Sequence, residues 1–161
     1  MTNDSITVNI DNLIENILPE RIIQALDDVC ITLVQEAQEK CPIGDGSGER
    51  GHIRESIDHT VTYENGVFTG RVGSNNEIAI YVHEGTGLYA IEGNGRKDVP
   101  WYFPVKDGGE LNQKYGMPIR KINGKEFYMT SGQKPNQFLR KAIEENRDFI
   151  LENFEGILTN D

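Results

Sequence analysis

The chain predicts an α+β fold: a small antiparallel sheet packed against an N-terminal and a C-terminal amphipathic helix, with a long inserted loop or β ribbon. Three observations predict it. Apolar residues recur at helical spacing near both ends of the 161 residues. Between them runs a two-residue period broken by an Asn-Gly step, and a glycine-rich stretch without period separates that step from the second helix.

The first helix begins at Pro19, from which Ile22, Leu26, Val29, Cys30, Leu33, Val34 and Ala37 recur at three- and four-residue steps with Asp and Glu between them. Pro19 suits a first helical turn, after a short helical piece around Leu13 to Leu18. Pro42 and the glycines beyond it stop the helix near Lys40. The period then changes. In "SIDHTVTYENGVFTGRVGS" the residues Ile57, His59, Val61 and Tyr63 alternate before Asn65-Gly66, and Val67, Thr69 and Arg71 alternate after it. Both turn residues tolerate positive φ, so the segment predicts a hairpin. "EIAIYVHEG" reads as a third strand closed by Gly85. Over residues 86–134 the apolar pieces "WYFPV" and "KEFYMTS" predict strands of a β ribbon within a long loop, and long loops inside compact domains are usually functional. A closing helix runs from Pro135, with Phe138, Leu139, Ala142, Ile143, Phe149, Ile150 and Phe154 on one face. A single domain over 1–161 follows, each helix burying its stripe against the sheet's inner face.

Composition narrows the function classes. With 37% apolar residues and a net charge of -10, the chain suits one soluble domain with a modest core. It has no run of about 18 apolar residues, and its polar start lacks the regions of a signal peptide, so synthesis in the cytoplasm and no membrane partner are expected. Cys30 and Cys41, the only cysteines, fall in one helix or at its end and are read as reduced thiols. The charge is segregated. Residues 96–141 hold ten basic and four acidic side chains, whereas residues 1–48 hold two and nine, and residues 142–161 one and six. Such a basic middle is either a solvated loop or a segment offered to DNA or to an acidic neighbour. Acidic helices and the lack of a basic one oppose a free-standing DNA-binding protein.

Several motifs resolve on context. In "CPIGDGSGERGHIRESI", Gly46, Gly48 and Gly51 spell G-x-G-x-x-G. A dinucleotide fingerprint needs a strand before the glycines and a helix after them, and here the order is reversed. The three glycines are therefore read as structural turns in a flexible joint, and no cofactor is expected. His83-Glu84 is half of a zinc-protease H-E-x-x-H, but position 87 is Gly, so no metal site is expected. Asp45, Ser47 and Glu49 alternate as in a calcium loop without its terminal glutamate. A hydrolase using Cys41, His83 and Glu84 is the alternative function, since nucleophile and base need only meet in space. Against it, Cys41 beside Pro42 reads as a packing group and His83 as a structural strand residue, so no catalytic residue is assigned.

Three segments, "CPIGDGSG" with "HIRESI", "VGSNNEIAIYVHEGTG" and "GQKPNQFLRKAIEE", together resemble the tail-component family of long-tailed bacteriophages, the head-to-tail joining, neck or tail-completion proteins. The matching positions are Cys41 and Pro42, Ile53 to Ile57, Val72 and Gly73, Glu84 to Thr86, and Pro135 with Phe138, Leu139 and Ala142. Their order and spacing cover nearly the whole chain. The sequence departs from the family in a longer loop after Pro42, in Ile78-Ala79 where Tyr-Ala is common, and in Gln137 where a proline often precedes the Phe-Leu pair.

The resemblance implies a non-enzymatic virion protein that forms a homo-oligomeric ring, a hexamer in the family pattern, at the head-tail interface. Its partners would be the capsid connector or stopper, the tail terminator or tube, and non-specifically the packaged DNA. A ring needs heterologous side-to-side contacts, and one that opens onto DNA gains from an inward basic stretch. Arg96, Lys97, Lys106, Lys114, Arg120, Lys121 and Lys125 are the candidate channel residues. Trp101, Tyr102, Phe103 and Phe138 are candidate ring contacts, the first three being equally able to cover the subunit's own sheet. Gly85 and Gly87, around Thr86, would let the chain turn out of the third strand into the long loop.

Overall fold

The computed structural model describes residues 13–43 and 52–159. The fold is α+β, and the chain separates into two compact units, one of Met1–Asn76 with Phe138–Asp161 and one of Glu77–Gln137. Gly46, Gly48 and Gly51 lie outside the described residues.

The first unit is built on helix α1, Leu18–Lys40, which follows a π-helical turn at Leu13–Ile17. Pro19 stands in the first turn, where its missing N–H costs no helical hydrogen bond. Val29, Cys30, Leu33 and Ala37 of the expected stripe are buried, with Ala25 beside them, while Ile22, Leu26 and Val34 are half-buried. The helix ends where Cys41 turns extended and donates its N–H to the Ala37 carbonyl. Strands β1, Ile57–Glu64, and β2, Val67–Ser74, pair antiparallel around Asn65 and Gly66, at φ 52° and 81°. The register sets Tyr63 opposite Phe68, and their rings stack 4.3 Å apart.

Helix α1 packs on both strands of this hairpin. Gly70 permits the close approach: a Cβ there would lie 2.7 Å from the Cys30 Sγ and 3.3 Å from a Leu26 methyl. His59 Nε2 adds a 2.9 Å contact to the Asp27 carboxylate. The C-terminal helices, α4 at Phe138–Glu145 and α5 at Arg147–Thr159, pack on α1 as well. Lys40 joins α1 to α4 through Glu145 at 3.1 Å. A single closing helix was expected, and two are found. The change falls at Asn146, whose side-chain amide donates to the Ala142 carbonyl.

The second unit contains α2 at Ala79–Glu84, β3 at Trp101–Pro104, α3 at Glu110–Tyr115, β4 at Ile119–Ile122 and β5 at Lys125–Thr130. The segment expected as a third strand is thus the helix α2. Its burial repeats at three residues, with Ala79 and Val82 inside and Ile80 and Tyr81 exposed, and a short apolar run does not distinguish that pattern from a strand. The predicted ribbon is present: Trp101 to Pro104 pair antiparallel with Thr130 to Phe127. It has a further strand, β4, and the sheet order is β3-β5-β4.

The two ends of this unit are fastened together. Thr86 N–H donates to the Gln133 carbonyl, Gln133 N–H to Thr86 Oγ1, Leu88 N–H to the Ser131 carbonyl and Asn136 N–H to the Val82 carbonyl, all at 2.8–3.0 Å. Gly85, at φ 76° and ψ 176°, makes the turn out of α2. A Cβ on Gly85 would meet the Gln133 carbonyl at 2.9 Å, and one on Gly87 the Ser131 carbonyl at 2.3 Å. Both glycines have positive φ, 76° and 60°, and the chain leaves a helix here, where a third strand was expected.

Candidate interaction surface

The three-stranded sheet has two chemically different faces, and its register assigns every residue to one of them. Directly paired residues point the same way, and successive residues along a strand point oppositely. Phe103, Tyr128 and Ile119 therefore share one face, with Trp101 and Thr130 beside them. Tyr102, Met129, Phe127, Arg120, Ile122 and Lys125 share the other.

The first face is covered around Tyr128, while Lys121 and Glu126 at its end are exposed. Tyr128 is fully buried, and its ring lies 5.3 Å from that of Phe103. The Tyr128 hydroxyl donates to Asp107 Oδ1 at 2.5 Å and accepts the Leu111 N–H at 3.1 Å. The same Asp107 oxygen accepts the Gly109 N–H. This network ties the entry of α3 to the central strand. The hydrogen bond from Tyr128 holds the Asp107 carboxyl below the usual carboxylate range, while burial and then Asp107 push the Tyr128 phenol up. Arg96 lies 5.4 Å over the Trp101 ring and 3.8 Å from Asp98, so its charge is partly engaged within the unit.

The second face is open. Tyr102 is 45% exposed, Arg120, Ile122 and Lys125 are exposed, and Phe127 and Met129 are half-buried. Each ionisable strand residue with a basic or acidic side chain on this face is basic; Glu126, the acidic residue of β5, points to the other side toward Lys121 at 4.0 Å. A groove of about 590 Å³ lined by Pro104, Val105, Lys121, Lys125, Glu126 and Phe127 runs at the β4-β5 end of the sheet.

The structure thus sorts the sequence candidates. It puts Tyr102, Arg120 and Lys125 on one face, and Trp101, Phe103 and Lys121 on the opposite face. Lys97 and Lys106 are exposed outside the strands, and Lys114 belongs to α3. Phe138 is fully buried, which corrects its expected role as a ring contact: it is a core residue of α4. Phe127, Ile122 and Met129 were missed. Their signal was present in Asn123-Gly124, at φ 50° and 78°, the same hairpin step that marks β1 and β2.

Of the groups considered for hydrolysis, Cys41 is buried. The Cys41 thiol is 2% exposed, and burial pushes its pKa up in spite of Arg54, the reverse of an activated thiolate. Cys41 lies in the first unit and His83 in the second, where His83 Nδ1 meets Glu84 at 2.6 Å. Among the described residues, no three His, Cys, Asp or Glu side chains cluster as a metal site, and no helix is long and apolar enough to cross a membrane. No protein-family model, curated protein or solved structure matches the chain.

Proposed function

We propose that the chain is a structural component of a tailed-phage particle, a subunit of a ring at the head-tail interface that joins the capsid connector to the tail or completes the tail. The observation that carries this reading is the placing of the family-like segments. "VGSNNEIAIYVHEGTG" leads from β2 into the second unit and holds Gly85 and Thr86, while "GQKPNQFLRKAIEE" leads from that unit into α4 and holds Gln133. The hydrogen bonds between Thr86 and Gln133 fasten the base of the insertion. The resembling residues thus close the base of the inserted unit, and the open sheet face gives that unit a surface for assembly. In such a ring the exposed Lys97, Lys106 and Lys121 would supply the cationic contribution toward packaged DNA.

The test is location. Particles of the parent phage carrying a tagged copy of this chain should bind gold-labelled antibody at the neck, between head and tail. Label confined to the lysate supernatant, with none on purified particles, would refute the reading.

A further inference from the structure

We infer that the open face of the β3-β5-β4 sheet binds the acidic outer stripe of α5 in a second copy of this chain, forming a head-to-tail contact. The inference rests on the ring reading and names its adhesive surfaces. On the sheet, Phe127 is paired with Arg120 and Ile122 with Lys125, and Tyr102 lies on the same face on the outer strand β3, opposite Met129. On α5, Asp148, Leu151 and Glu152 stand at i, i+3 and i+4, one stripe of the helix, and all three are exposed. Leu151 is 60% exposed, an apolar side chain beside the two carboxylates. One surface therefore offers apolar area beside cations, and the other apolar area beside anions.

Charge segregation is what makes self-association feasible for so acidic a chain. The first unit carries eight basic and nineteen acidic side chains, whereas the second carries eight and seven. Copies meeting through like surfaces of the first unit would repel. A contact between unlike surfaces replaces that repulsion by attraction and fixes orientation. Because the two surfaces differ, the contact is heterologous, the type that generates a ring when the rotation closes. Nucleic acid is the competing occupant, since aromatic and basic residues alternate on such platforms. The overall charge of -10 opposes it and favours an acidic protein surface of the same chain.

Sedimentation velocity of the purified full chain, from micromolar to about millimolar concentration, tests the contact with three variants. They are Arg120→Glu with Lys125→Glu, Asp148→Lys with Glu152→Lys, and all four together. All four positions are exposed, and unchanged thermal unfolding verifies that each variant is folded. Wild type should associate, each pair of reversals should weaken association at least about tenfold, and the quadruple variant should recover most of it. Association unaffected by either pair overturns the contact while leaving the ring reading standing. Wild type monomeric throughout also overturns it, and the ring reading then depends on particle labelling alone. A sheet variant that loses only binding to a single-stranded oligonucleotide of about 20 bases would reassign the face to nucleic acid and overturn the contact likewise.

Discussion

Single residues hold the inserted unit in shape, and their conformations set the cost of replacing them. Gly85 sits in a backbone region that is essentially restricted to glycine, and backbone atoms surround the place where a Cβ would go. Gly85→Ala should destabilise the protein by about 1–3 kcal/mol, measured by urea unfolding. Asp107 gives a pH signature. Its folded pKa is lowered, chiefly by the Tyr128 hydroxyl, so the stability it contributes is present above the unfolded value of about 3.9 and is lost as pH falls through the folded value. The stability difference between wild type and Asp107→Asn should therefore shrink as solutions are acidified below about pH 4, as read from unfolding midpoints. A difference that is constant with pH would detach Asp107 from this role. Tyr128→Phe should lower the midpoint while leaving Leu111 N–H and Asp107 without their shared partner.

At the level of elements, the legible parts are those with one dominant period. The stripe from Ala25 to Ala37 and the hairpin around Asn65-Gly66 could be read because each side is a long run of consistent pattern. Six residues of α2 were too few to separate a three-residue from a two-residue repeat, and Ile80 and Tyr81, both exposed, added apolar character that a strand would share. Strand β4 was missed for a different reason: "IRKI" carries its polar residues together, so no alternation shows, and only the Asn123-Gly124 turn betrays it. Gly66→Ala and Gly124→Ala should each cost about 1 kcal/mol or more, because alanine is strained at positive φ even where space is open. Chemical denaturation of the two variants checks this. In α4, Phe138→Ala should cost about 3–5 kcal/mol, as expected for an aromatic ring removed from a core. A loss below about 1 kcal/mol would return Phe138 to the surface contacts.

For the whole molecule, the uneven charge visible in the sequence takes on a spatial meaning. Nineteen of the 26 acidic residues belong to the helical and hairpin unit, whereas the 16 basic ones divide equally between it and the inserted unit with its open sheet face. Tyr102 was expected as a ring contact together with Trp101 and Phe103, which lie on the other face, and Arg120 and Lys125 were expected as channel residues. Which of their neighbours join them could not be read, because face assignment depends on the pairing register, and one residue of slip exchanges the faces. The assembly account joins this surface to the segments that resemble tail components. Electron microscopy of lysates from the parent phage or prophage with this gene deleted tests that account most directly. The account predicts DNA-filled heads lying beside unattached tails for a joining role, or defective tails for a completion role; normal infectious particles would contradict it.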